Sequence, residues 1–521
     1  MVLFAIDIMK NAGLKNHINA FSAALSAVYC IWSYVTDKTV FELGDGILSL
    51  SPLALFDYVI CKAIAFAALF FFVRFVLRAV EQRKDKESVY AGVAKYALYY
   101  LPIVVIVLAV KLPGGFTTND EYAIAENARR IVHDTWFNYM TIYYYIASFM
   151  IVPFKYGPVI IKAVIQLLTV GYVTFRSVRY FGKKAGLFMY ILFLLYPVIA
   201  YIISAHRLPV YFLLYLCLFS KLSFDLAEGA DIGKGQLFVL LLAGAVLTQW
   251  RTEGIYLLVL VPILILIVYP KFRKTKSAVL MILAYVLLQY TISVPQNITS
   301  EAGLANAAND RMKPFYAYTI TNMYRNGLDL TKNEADLAVV DAYIPLEAIS
   351  DINEYYGDIN YEDVFILYKE EFSGVRKDAT YTQYYDFTKA VKNIFINNPD
   401  VFARTRWGAF CYAALPYHFA PAGEGAARFV ISAVKTVSYN LFIPVGFALL
   451  LLVYSLIKRK WFYFFAAAGL VAHWFIVLVL APASYFKYYF PVYIMSYFYL
   501  ITMIIGHFTK RDMPESIGGA V

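Results

Sequence analysis

Charge is scarce in this chain, and cysteine and histidine are scarcer still. Of its 521 residues only 16% are charged, against 61% hydrophobic and 18% aromatic, a balance that excludes an ordinary soluble domain. The four cysteines, Cys30, Cys61, Cys217 and Cys411, sit in or beside apolar runs without CxxC spacing. That pattern argues against a disulfide framework and against a zinc site. His206, His418 and His473 each stand alone, and a lone histidine is more often a packing residue than a ligand. No cofactor is expected on these grounds, although scattered acids and histidines leave a divalent metal open. No internal repeat or low-complexity tract is present. The opening MVLFAIDIMKNAGLKNH lacks a basic start followed by a small-residue cleavage site, so the first span is expected to be a retained anchor.

What the chain has is apolar length. Windows around Tyr100, Val198, Leu240, Leu258 and Leu450 stay apolar for roughly 20 residues, enough for a helix to cross the hydrocarbon core. The runs are continuous rather than alternating, which favours helices over barrel strands. The formal charge of +10 is not gathered into a basic domain, so it implies no nucleic-acid partner. The Lys and Arg residues lie between apolar runs, in EQRKDKE (Glu81 to Glu87), RSVRYFGKK (Arg176 to Lys184), YPKFRKTK (Tyr269 to Lys276), KRK (Lys458 to Lys460) and TKRD (Thr509 to Asp512). Short basic loops mark the cytoplasmic side.

Spans are then expected near Ile18 to Val35, Leu53 to Leu77, Tyr90 to Val110, Pro158 to Phe175, Ala185 to Ser204 and Leu208 to Phe224. Further spans are expected near Gln236 to Gln249, Ile255 to Tyr269, Lys276 to Val294, Val430 to Ile457, Trp461 to Leu480 and Lys487 to Gly506. The expectation is an all-α polytopic protein of the plasma or bacterial inner membrane, with about twelve crossings and both termini cytoplasmic. Tyr139 to Phe154 is apolar and tyrosine-rich, but a crossing there inverts every later basic loop, so it is read as a helix at the outer interface.

Four regions follow: an N-terminal hairpin (1–89), a transmembrane core (90–294) with an outer loop (111–157), a small, mainly helical extracytoplasmic domain (295–401) and a C-terminal part (402–521) with an interfacial helix and further spans. Asn297 to Thr299 reads NIT, a common chance match to a glycosylation acceptor.

Polar residues at membrane depth are costly, and in this topology many collect on the outer side. Asp120, Glu121, His133 and Asp134 come from the first large loop, His206 and Arg207 from SAHRLP, and Arg251 and Glu253 from QWRTEG. His418 comes from LPYHFAP, and Tyr485 and Lys487 from APASYFKYYFP. Each has a plain structural alternative. Thr118 to Glu121 fits a helix-capping box, which by itself accounts for Glu121. At 100° per residue, however, Glu121 falls on the apolar face formed by Ile124, Ala125, Ala128, Ile131 and Val132, with Asp120 at its border. Arg251 and Lys487 are, singly, interfacial anchors. Lys62 and Lys95 lie deep in apolar runs, where structural pairs within the bundle are expected. A carboxylate base with nearby cations at a lipid-facing groove suits a reaction in which a phosphate departs from a lipid-borne sugar.

The stretch NDEYAIAENARRIV after a hydrophobic span resembles the Asp-Glu motif opening the first outer loop of GT-C glycosyltransferases, particularly protein O-mannosyltransferase-like and aminoarabinose-transferase-like members. KYGPVIIKAVIQLLTVGYVTFRSVRYFGKK and the proline-bearing span after it, QWRTEGIYLL and KYYFPVYIMSYFYLI follow in the family's order. The resemblance implies a GT-C-like bundle and inverting transfer from a polyprenyl-phosphate sugar to an extracytoplasmic glycan, lipid or protein. Asp120 would be the base with Glu121 beside it, and Arg251 and Lys487 would contact phosphate. HRLP lacks the acid often found there, and Lys487 replaces the usual Arg. A flippase or transporter of lipid-linked sugars, a glycan polymerase or ligase, and a non-catalytic assembly partner are the competing readings.

Overall fold

The structure, a computed structural model, describes residues 17–43, 46–111, 116, 118–132, 137–205, 207–304, 312–356, 374–376, 379–415 and 426–511. All regular elements among them are helices. In chain order these are α1 (Ile18–Trp32), α2 (Tyr34–Val40), α3 (Pro52–Glu81), α4 (Val89–Lys111), α5 (Asn119–Arg129), α6 (Tyr139–Ile151) and α7 (Gly157–Phe181). Next come α8 (Lys183–Leu194), α9 (Tyr196–Ile203), α10 (Arg207–Glu228), α11 (Lys234–Trp250), α12 (Thr252–Val268) and α13 (Thr275–Leu304). The series continues with α14 (Lys313–Arg325), α15 (Glu334–Asp341), α16 (Leu346–Tyr356), α17 (Tyr381–Asn397) and α18 (Pro399–Ala414). It closes with α19 (Ala426–Ser438), α20 (Phe442–Ile457), α21 (Trp461–Leu480) and α22 (Phe490–Thr509).

Among the described residues, eight helical segments are long and apolar enough to cross a membrane, or ten if the bent pairs α1–α2 and α8–α9 each count as one span. About twelve were expected. The difference lies in α11 and α12, which are apolar but short. With 17 residues, α11 extends about 26 Å at ~1.5 Å per residue, less than a hydrocarbon core of about 30 Å.

The two bends have local causes. Between α8 and α9 the chain turns by 64°, and Leu195 is extended. Pro197 has no N–H and its ring crowds the carbonyl four residues earlier, that of Phe193. The freed carbonyl accepts from the Tyr100 hydroxyl at 2.7 Å, which compensates for the bond that the proline removes. The 44° bend between α1 and α2 sits at Ser33, whose Oγ accepts from Lys62 Nζ at 2.7 Å. The same ammonium pairs with fully buried Asp37 at 2.5 Å, and Tyr58 donates to that carboxylate at 2.6 Å. Lys62 therefore belongs to a structural pair, whereas Lys95 lies over the Tyr96 ring at 5.6 Å.

Clustering of contacts divides the chain into two compact units. The first holds residues 1–251, 261–292 and 498–521; the second holds 252–260 and 293–497.

In the first unit nearly all residues of α6 are buried in protein rather than presented on the surface. Tyr143 donates to Asp57 Oδ1 at 2.5 Å, Tyr144 to Pro158 O at 2.5 Å and Tyr139 to Ile292 O. Its tyrosines spend their hydroxyls on other helices instead of on headgroups. Arg176, from a cluster read as a basic loop, is also inside. It meets Asp225 at 2.9 Å and Glu228 at 3.3 Å, while Lys221 and Tyr269 complete the shell of Asp225.

In the second unit the described residues of the polar stretch after Pro295 include the helices α14 to α17, and Asn297 lies within α13. Buried Arg406 organises the neighbouring turn: it donates to Leu478 O at 2.7 Å and Ala481 O at 2.9 Å. Its guanidinium lies 5.7 Å from the Tyr318 ring centroid, and the Tyr318 and Ser484 hydroxyls are hydrogen-bonded to each other.

Candidate functional site

The first turn of α5 is set by its cap. Thr118 Oγ1 accepts from the Glu121 N–H at 3.3 Å, and Glu121 Oε2 accepts from the Thr118 N–H at 3.0 Å. This is the reciprocal capping box that TNDE specifies. It is not the whole role of Glu121, whose side chain is fully buried. Its other oxygen, Oε1, accepts from the Ser204 hydroxyl at 2.8 Å. Glu121, Ile124, Ala125 and Ala128 form the buried face of α5, as the helical period requires. Asp120, one residue earlier, is half-buried.

Ser204 follows directly on α9, and the end of α9 is gripped from α7. Lys162 Nζ donates to the carbonyls of Tyr201 and Ile202 and lies 3.4 Å from Gln166 Oε1. Lys162 is fully buried. Its side-chain nitrogen thus satisfies the last carbonyls of a broken span, while the buried Glu121 takes the next hydroxyl.

On the third side stands α6. It packs against α5. The Tyr145 hydroxyl is buried without a hydrogen-bond partner among the described residues.

Arg251 caps the end of α11 in an extended conformation and is 7% exposed. The end of α11 is stitched to the start of α6: Asn138 donates to Gln249 O at 2.8 Å and caps α6 by accepting from Met140 N at 2.9 Å. Beside it, the Trp250 and Tyr144 rings lie 6.4 Å apart. Arg207 lies with its guanidinium 5.3 Å from the Phe137 ring. Within the first unit, α6 and the residues leading into it are the common neighbour of the carboxylate pair, of Arg207 and of the segment carrying Arg251.

Glu253, Tyr485 and Lys487 belong to the second unit. Glu253 accepts from Thr252 Oγ1 at 3.3 Å. Lys487 Nζ lies 4.8 Å from the Tyr485 ring centroid and 5.8 Å from that of Tyr488. His473 is a packing residue, buried, with Nε2 3.0 Å from Tyr488 O. His133, Asp134, His206 and His418 lie outside the described residues. Among the described residues, no group of three His, Cys, Asp or Glu side chains is disposed to hold a metal ion.

Lys162, Ser204 and Tyr145 are the members of the site that sequence reasoning missed. The signal for Lys162 was present, a lysine inside the apolar span GPVIIKAVIQLL. No family model, curated protein or solved structure matches the chain.

Proposed function

We propose that the chain is a membrane glycosyltransferase of the GT-C kind, transferring a sugar from a polyprenyl phosphate to an extracytoplasmic hydroxyl with inversion. The observation that carries this reading is the division of labour in the Asp-Glu pair. Glu121 has both oxygens engaged, so it positions the turn. Asp120 is half-buried in the same turn, at the border of the buried face of α5, where a carboxylate can meet a substrate proton.

In the proposed reaction the acceptor oxygen attacks the anomeric carbon from the face opposite the phosphate. The bond between that carbon and the phosphate oxygen breaks, and its electron pair leaves with the polyprenyl phosphate. The acceptor proton passes to Asp120. Arg207 and Arg251 are the proposed cations for the departing phosphate, and guanidinium groups suit that geometry. In this reading about twelve segments cross, the basic loops are cytoplasmic and α5 is on the outer side.

The test is Asp120→Asn. It keeps size and removes basicity, so transfer should fall by about 10²–10⁴-fold while insertion and folding persist. Near-normal turnover in that variant removes Asp120 as the base.

A further inference from the structure

Along α5, on the flank that carries Tyr122, Ala125, Glu126 and Arg129, the first unit holds a half-open cavity of about 600 Å³. Three cations line it: Arg129 and Arg130 from the end of α5, and Lys155 from the turn between α6 and α7. Two carboxylates, Glu42 and Glu126, share the lining. Arg129 is committed, 3.1 Å from Glu42 and bonded to Val40 O at 3.2 Å. Arg130 is held loosely, 3.9 Å from Glu126, with both side chains more than half exposed. Lys155 has its ammonium 5.4 Å from the Tyr156 ring centroid and no carboxylate partner among the described residues.

The lining also carries the aromatic rings of Phe116, Tyr122, Phe149 and Phe154, and Tyr156 bridges two of them from outside the lining. Tyr122 and Phe116 have ring centroids 5.3 Å apart, Phe116 and Tyr156 5.8 Å, and Tyr156 and Phe154 5.5 Å. The path starts at Phe116, which is buried, and ends at Phe154, which is 53% exposed. The ordinary explanation of Arg129 and Arg130 is that cations complement the C-terminal end of a helix dipole. It does not account for Lys155, which comes from a different segment and lines the same space. Nor does it account for basic residues converging on the outer side, where short loops are normally poor in Lys and Arg.

We propose that this cavity binds the phosphate headgroup of an anionic membrane lipid, with Arg130 and Lys155 on the phosphate and the aromatic path guiding the apolar part toward the bilayer. The proposal rests on the outward orientation given above, but not on the transfer chemistry. An amphiphile fits where a soluble anion does not, because the cationic rim and the exposed aromatic end belong to one cavity.

The test is native mass spectrometry of the full-length protein released from detergent containing either phosphatidylglycerol or phosphatidylcholine. Wild type should retain phosphatidylglycerol in preference to phosphatidylcholine, and the double variant Arg130→Ala/Lys155→Ala should retain it about tenfold less. Lys183→Ala, an exposed charge on α8, should behave as wild type. Lys155→Glu, at an exposed position, repeats the test with a single change. Equal retention by wild type and variants overturns the proposal, as does equal retention of the two lipids. Displacement of the lipid by millimolar inorganic phosphate also overturns it, by assigning the cavity to a soluble anion. Loss of transfer activity with lipid retention intact would count against the proposed enzyme and leave this site standing.

Discussion

Ser204 donates its hydroxyl to Glu121 across 2.8 Å, joining residues 83 positions apart in the chain. The bond ties the first turn of α5 to the end of a broken span, and it uses the oxygen of Glu121 that the capping box leaves over. A helix cap is usually a local device; here it is continued into tertiary structure, which fixes the turn that also carries Asp120.

Ser204→Ala is therefore expected to leave Glu121 Oε1 buried and short of a donor, at a cost of about 1–3 kcal/mol. Thermal unfolding in detergent should show a lower midpoint, and transfer should fall without vanishing. An unchanged midpoint would mean that the bond contributes nothing.

Lys162→Met replaces a buried lysine by an apolar chain of similar length and strips the Tyr201 and Ile202 carbonyls of their donor. A loss of about 2–4 kcal/mol is expected, since two buried acceptors go unsatisfied. Stability equal to wild type would show that the carbonyls find other donors and that the grip on α9 is dispensable.

In the second unit, Arg406→Lys keeps the charge but cannot span the Leu478 and Ala481 carbonyls with a planar fork. Hydrogen exchange over residues 481–487 should quicken in this variant while α14 stays protected. Unaltered exchange there would separate Arg406 from the turn that carries Tyr485 and Lys487.

Orientation can be read by impermeant thiol labelling in a background with the four native cysteines replaced. Asn119 and Lys183 are both exposed. Cysteines at these positions should react from opposite sides of the membrane, and reaction of both from one side would invert the proposed topology.

The sequence made some of this legible and hid the rest for physical reasons. The 3.6-residue period of NDEYAIAENAR already put Glu121 on the apolar face of its helix, and TNDE already spelled its cap. Local pattern could go no further, because Ser204 and Lys162 reach the site through contacts 83 and 39 residues away along the chain. The burial of the α6 tyrosines was hidden for a related reason. Tyrosine suits a lipid interface and a hydrogen-bonded interior equally well, and only partners such as Asp57, Pro158 and Ile292 distinguish the two. The stretch with Pro197 reads as one span, Ala185 to Ser204, whereas the structure bends there by 64° and Tyr100 takes the Phe193 carbonyl. Arg406 gave no warning, since FARTRWGAF reads as an ordinary amphipathic turn.

The most direct measurement offers the purified protein a panel of polyprenyl-phosphate sugars together with a hydroxyl acceptor, and follows free polyprenyl phosphate and glycosylated acceptor by mass spectrometry. One donor should be consumed, with the product's anomeric configuration inverted, and Asp120→Asn should leave that donor intact. Consumption at the wild-type rate by Asp120→Asn, or retention of anomeric configuration in the product, would contradict the account.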